Sequence, residues 1–441
     1  MTALTEKYSS DSESFKQAYA ARHVAATDTW LQSIRENAIQ VFSQGEFPTV
    51  RDEDWKYTSL SEVAARSAAY LNENQAPADT RTIKKILGRL PVNQNAFTIV
   101  FANGLFRGDL SNLPTQDAGL TIDTLNDLDN HSKELVRSQL GRYAQIERFQ
   151  LAALNTAFMN DGLIIRLPEH SEITTPIHAI FVSDEQPVSV QPRVLISLGE
   201  YSRASVIEHH AGLGASCTNA LTEIHCANGA RLRYTKIQQE DSEGYHLAAQ
   251  YVQLDRDSRF DAVHVDLGAR LARNDLTVRL AGSGASTQLD GLFIVDGERH
   301  VDNHTRLDHL ETRTTSVENY RGIINDRGRG IFNGKIIVHA GADKSDAQLN
   351  NRNLLLSAEA EIDTKPELEI YTDDVKCAHG TTTGQLDTSA LFYLRARGIP
   401  EDLAKQMLVT AFANEIIDRI DSTPTPLSDH IRDAVMQQLP G

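Results

Sequence analysis

Past Gly162 the chain breaks into short apolar runs separated by compact turns, and the spacing of those turns limits the fold more than any other feature. The runs are Leu163 to Leu167, Ile177 to Val182, Val194 to Leu198, Thr222 to Cys226, Ala249 to Leu254, Leu276 to Leu280 and Gly291 to Val295. Five turns lead through small or polar residues into an apolar one: Asn228 to Leu232, Asp257 to Phe260, Gly284 to Thr287, Gly328 to Ile331 and Glu359 to Ile362. Roughly 27 to 31 residues separate most neighbouring turns, a period typical of repeat architectures. One coil of that length cannot bury its inward side chains alone, whereas stacked coils share a continuous core, which predicts a β-helix. An antiparallel sandwich of short strands reads the same way in a single sequence and stays open at this level.

Helical patterns flank this region. Before about residue 160, Trp30, Ile34, Ala38, Val41 and Phe42 recur at the spacing of a buried helix face. A loop from Gly45 to Asp54, with Pro48, then leads to Trp55 and Tyr57, and a polar stretch from Ser111 to Asn130 reads as loop with short helical turns. After about residue 390, Gly398 stops one short helix and Pro400 opens the next. On that helix Leu403, Met407, Leu408, Ala411, Phe412, Glu415 and Ile416 form a largely apolar stripe, which either packs on its own domain or docks another protein. The expected organisation is a mainly helical segment over 1–160, a β-helix over 161–390 and a helical segment over 391–441.

The 441 residues carry a net charge of −17, a field that repels phosphate backbones and argues against nucleic acid as a partner. No apolar run approaches the roughly 20 residues that span a bilayer, and Glu6, Lys7 and Asp11 stand where a signal peptide needs an apolar block. A cytoplasmic location is expected. The three cysteines, Cys217, Cys226 and Cys377, include no CxxC pair, so one copy of the chain has too few thiolates for a four-thiolate metal or cluster site.

Chemistry concentrates in Thr364 to Gly380, TKPELEIYTDDVKCAHG. On an extended strand Cys377 and His379 share a face, so thiolate and imidazole can approach one iron atom, with Lys376 favouring the thiolate. A buried cysteine beside a hydrogen-bonding histidine is the plainer alternative. Two ligands leave an iron incompletely coordinated, so a site here needs ligands from another chain. His300, His304 and His309, with Asp302 and Asp308, read as structural, and His209 and His210 after Glu208 point to opposite faces of a strand. Cys217 and Cys226 read as core or surface thiols. Neither Gly282 with Gly284 nor Gly328 with Gly330 is followed by the Gly-Lys-Ser/Thr of a nucleotide loop, and no nucleophile elbow, zinc-protease helix or dinucleotide fingerprint occurs. Acidic pairs such as Asp373 and Asp374 are too common to nominate a glycosidase dyad, although β-helices that cleave polysaccharides keep that class as the alternative.

The stretch Leu354 to Asp387, LLLSAEAEIDTKPELEIYTDDVKCAHGTTTGQLD, closely resembles the signature region of the SufB/SufD family of iron–sulfur assembly proteins. Asn155 to His178, the HVDNHTRLDH run from His300 to His309 and FYLRARGIP from Phe392 to Pro400 also resemble it. DVKCAHG, DEDWKYTSL (Asp52 to Leu60), FANGLFR (Phe101 to Arg107) and the scarcity of cysteines are similar to the SufD branch rather than the longer SufB branch. The resemblance implies a right-handed parallel β-helix between helical domains and a non-enzymatic scaffold. It implies pairing with a SufB-like paralogue and a SufC-like ATPase, with self-association left open when SufB is absent. It further implies His379, with Cys377 beside it, at a transient cluster shared with SufB, no cofactor held tightly by the isolated chain, and Leu403, Met407, Leu408 and Phe412 as SufC-contact candidates.

Overall fold

A computed structural model describes residues 13–22, 29–45, 47–72, 78–92, 96–113, 119–147, 149–420 and 427–438. Two facing sheets build a solenoid of about eight turns. The first sheet runs in spatial order through Leu105–Phe106, Phe97–Ala102, Ile177–Ser183, Arg203–Gly212, Arg231–Gln239, Arg259–Asp266, Ser286–Val295, Thr315–Ile324, Asp346–Leu355 and Lys376–Gly384. The second runs through Thr121–Thr124, Leu163–Leu167, Arg193–Leu198, Ser216–Cys226, Tyr245–Leu254, Leu271–Leu280, His300–His309, Arg329–Val338 and Glu361–Ile370. Pairing along both sheets is parallel except at the N-terminal end, where Leu105–Phe106 and Thr121–Thr124 pair antiparallel. Parallel ladders decide between solenoid and sandwich.

The repeat read from the turns is the coil length. Ala204, Leu232, Phe260, Thr287, Ser316, Ala347 and Cys377 are register partners in succession, 27 to 31 residues apart, and form one inward-facing column. Turns stack as well: the N–H groups of Gly229, Asp257, Gly284, Arg313 and Lys344 each donate to a carbonyl in the turn of the following coil. These residues are all left-handed: Gly229 and Gly284 adopt that conformation freely, while Asp257, Arg313 and Lys344 hold it at the same place in their coils.

Most strands are longer than the apolar runs, because the C-terminal halves of first-sheet strands and the N-terminal halves of second-sheet strands put polar side chains into the lumen. There the buried Glu208 carboxylate accepts from His210 (2.8 Å) and Thr222 (2.9 Å), His246 bridges Glu240 and Lys236 at 2.8 Å each, and Lys236 donates to Asn274 at 2.6 Å. Burial works against the Glu208 charge, but the His210 and Tyr234 bonds overcome it and hold the carboxyl at about 2. The strands Phe97–Ala102 and Thr121–Thr124, inside the stretch read as helical and loop, already belong to the solenoid sheets, and the C-terminal helices begin at Thr388.

Helices cover the outer faces. In the N-terminal part, α1 (residues 13–21), α2 (Thr29–Gln44), α3 (Ser61–Asn72), α4 (Thr80–Leu87), α5 (Asn130–Gln139) and α6 (Gln150–Phe158) precede the main stack. Ala38, Phe42, Val63, Ala64, Leu154 and Phe158 from α2, α3 and α6 pack with Tyr245 and Leu247 of the second sheet. Of the expected α2 face, Ala38 and Phe42 are buried and Val41 is half-buried beside them, while Trp30 and Ile34 pack half-buried on a separate cluster with Leu128 and Val136. After the last coil come α7 (Thr388–Ala396), α8 (Glu401–Ile417) and α9 (Leu427–Gln438). Val409, Ala413, Ile416 and Ile417 of α8, with Ile431 and Val435 of α9, cover Ile237, Val265, Ile294 and Ile323 on the outside of the first sheet. No helix among the described residues is long and apolar enough to cross a membrane.

Candidate functional site

Cys377 and His379 lie on the last strand of the first sheet, Lys376–Gly384, opposite Ala347 and Leu349 of the coil beneath. Ala347 and Leu349 belong to the solenoid core, so both candidate ligands face inward at the C-terminal mouth, as the i, i+2 spacing requires. Cys377 packs half-buried against that core, while His379 is exposed and makes no hydrogen bond among the described residues. No coil lies above them among the described residues. Among the described residues no three His, Cys, Asp or Glu side chains come together to hold a metal.

The expectation that Lys376 favours the thiolate is corrected. Lys376 and Cys377 are adjacent on a strand and face opposite ways, and the thiol is pushed up by burial and by the Asp346 charge, only partly offset by a hydrogen bond from the Ala347 backbone. Below the pair the mouth is polar: Thr381 donates to Asn351 Oδ1 at 3.1 Å, and the hydroxyls of Thr381 and Thr364 lie 3.2 Å apart across the lumen.

Other flagged residues are structural. His300 contacts Thr58 at 2.9 Å, and burial pushes it down to about 4. His304 contacts Asp302 at 3.0 Å, whereas His309 faces the lumen between Thr314 and Ser316. Burial opposes the Asp302 carboxylate, yet Arg273 at 2.6 Å and His304 hold it well below the usual carboxylate range. Arg273 in turn lies over the Trp55 ring at 4.1 Å and donates to the Asp54 carbonyl at 2.8 Å, so DEDWKYTSL and HVDNHTRLDH form one clamp between the N-terminal segment and the second sheet. A similar clamp escaped the sequence reading: buried Arg193 pairs with buried Glu223 and bonds Asn155 and Thr156 of α6. Cys217 and Cys226 are core thiols, and burial pushes Cys217 up to about 12 and Cys226 higher still. His209 bonds Gln239 on the outer face while His210 turns inward to Glu208.

The C-terminal stripe divides. Leu403 and Met407 are exposed, whereas Leu408 is half-buried and Phe412 packs partly on the sheet-covering core beneath Arg321, 4.8 Å from its ring. The buried side of α8 is Ala404, Val409, Ala413, Ile416 and Ile417. On α7, which has no buried residue, Phe392 and Tyr393 are 75% and 58% exposed. The stripe reading missed them because it began at α8.

A family model for the SufBD core domain of SUF-system FeS cluster assembly matches residues 180–412, and one for the SufBD protein N-terminal region matches residues 8–179. An iron–sulfur cluster assembly SufBD family protein of Synechocystis sp. is 30% identical over 436 residues, covering 95% of this chain and 94% of its own. The iron–sulfur cluster assembly protein SufD of Escherichia coli is 29% identical over 400 residues (89% and 90%), and SufD of Bacillus subtilis is 22% identical over 426 residues (95% and 95%). Lumen, mouth and family models agree along almost the whole chain: it belongs to the SufBD family of iron–sulfur cluster assembly proteins.

Proposed function

We propose that this chain is a SufD-type scaffold that catalyses no reaction itself, pairs through the mouth of its solenoid with a SufB-like paralogue, and docks a SufC-like ATPase on its C-terminal helices. The nascent cluster is cargo built between the two scaffold chains. What supports this is the last coil, where the signature Cys377 and His379 face inward with nothing above them among the described residues. A solenoid end left uncapped is a surface for continued stacking.

His379 is the better first ligand, because its imidazole is exposed and makes no hydrogen bond among the described residues. Cys377 must first lose a proton that burial and Asp346 hold on, and an approaching cation would favour that loss. The remaining ligands come from the SufB-like chain. Only residues 385–387 separate the ligand strand from α7, so ATP-driven closure of the ATPase, pulling on Phe392, Tyr393, Leu403 and Met407, would reach the site through a short linker.

Anaerobic co-purification with the SufB-like and SufC-like partners, followed by iron and sulfide analysis, tests the reading. His379→Ala is expected to keep the complex and lose most of the cluster; wild-type cluster content in the variant would refute the ligand role. Leu403→Glu with Met407→Glu should release the ATPase alone. The isolated chain should leave acidic polysaccharides uncleaved.

A further inference from the structure

Among the described residues the strand that carries Cys377 and His379 is the end of its sheet, with a backbone neighbour, Asp346–Leu355, on one side only. Ligand atoms must be held within about 0.5 Å to be useful, and an edge strand paired on one side is poorly suited to that unless side chains brace it. Thr381 is the next inward residue after His379 on that strand, directly above Asn351 in the register.

Its hydrogen bonds have a fixed direction. Asn351 is buried and spends its amide N–H groups on the Tyr320 carbonyl (3.4 Å) and Asn353 Oδ1 (3.3 Å), while its Oδ1 accepts from Asn353 at 2.6 Å. The Asn351 Oδ1 is therefore an acceptor, and the Thr381 hydroxyl donates to it at 3.1 Å. The same hydroxyl is also set to donate to Thr364 Oγ1 at 3.2 Å, so the one Thr381 proton is shared between two acceptors on either side of it. Thr364, on Glu361–Ile370, faces inward above Phe332. The chain Thr364 to Thr381 to Asn351 ties the ligand strand both to the coil beneath it and to the opposite sheet. Among the described residues it is the side-chain hydrogen bonding that crosses the mouth between the last two strands.

We propose that Thr381 is a positioning residue of the assembly site, bracing the edge strand so that the His379 imidazole stands where a nascent cluster can use it. This rests on the reading of His379 given above. Its test uses the full chain co-purified anaerobically with its SufB-like and SufC-like partners, comparing Thr381→Val, Thr381→Ser, Thr364→Val and His379→Ala. Complex yield, iron and acid-labile sulfide per complex, the visible circular-dichroism spectrum of the cluster, and deuterium uptake over Lys376–Gly384 are measured. Thr381→Val is expected to keep complex yield, raise uptake in that strand, alter the cluster spectrum and lower cluster content roughly fivefold, the order expected of one neutral hydrogen bond. Thr381→Ser, which restores the hydroxyl, should recover all of these, and Thr364→Val should shift them in the same direction as Thr381→Val. Should Thr381→Val fail to accumulate, Thr364→Val decides in its place. Wild-type cluster content and spectrum in the valine variants, or no recovery with serine, would overturn the proposal. If His379→Ala loses cluster while the valine variants do not, the bracing role alone fails. If His379→Ala also retains cluster, the site reading fails and takes this inference with it.

Discussion

The two ends of the solenoid are built from the same kind of coil and finished in opposite ways. At the N-terminal end the parallel stacking stops in antiparallel strands, and the lumen is filled by Phe101, stacked on Phe181 at 5.1 Å and against Phe106 at 5.7 Å. Ile83 and Ile86 of α4 seal the outside against Val100, Ala102, Ile180 and Val182. At the C-terminal end the last strands are only partly buried, and Ile370 and Tyr371 are exposed beside the inward-facing Cys377 and His379. A solenoid needs both ends covered, so the difference teaches that this chain closes one end itself and leaves the other open among the described residues, the end at which the proposed partner would sit.

The largest effect that sharpens this contrast is acid. His178, His246 and His264 are wholly buried in the covered part of the molecule, and burial pushes them from 6.5 down to about 4, about 4 and about 3. Between pH 6.5 and 4 the unfolded chain takes up protons that the folded chain refuses, so stability falls as pH falls, by roughly 3 kcal/mol for each such group. Buried Glu318, raised to about 7 by burial, acts in the opposite sense and offsets roughly one histidine. The urea midpoint should therefore drop sharply from pH 7 to pH 5; a flat profile would mean that the interior is not sealed.

Next in size, Phe101→Ala at the closed end should cost about 3–5 kcal/mol by urea denaturation. Thr58→Val, which strips a hydrogen bond from buried Asp302 in the clamp, should cost about 1–3 kcal/mol in the same assay. Smallest of all, His379→Ala at the open end should change the stability of the isolated chain by less than about 0.5 kcal/mol. A loss there comparable to that of Phe101→Ala would erase the distinction between the ends.

The repeat length and the face shared by Cys377 and His379 were legible in the sequence because both follow from local geometry, the period of a coil and the two-residue alternation of a strand. Strand lengths were not. Asn274, His246 and Lys236 point inward where an apolar residue would have announced a strand, and they are tolerated only because they bond one another across coils. The Arg193–Glu223 clamp was hidden for the same reason, since partners 30 positions apart meet only after coiling. On α8 an apolar residue at helical spacing could not reveal whether it met the first sheet, as Ile416 does, or stood exposed, as Met407 does.

Hydrogen exchange of this chain, alone and mixed with the proposed SufB-like partner, tests the central claim most directly. The account predicts new protection concentrated in Glu361–Ile370 and Lys376–Gly384, with the closed end at Phe97–Ala102 unchanged. Unaltered exchange at those two strands, with protection arising elsewhere, would contradict it.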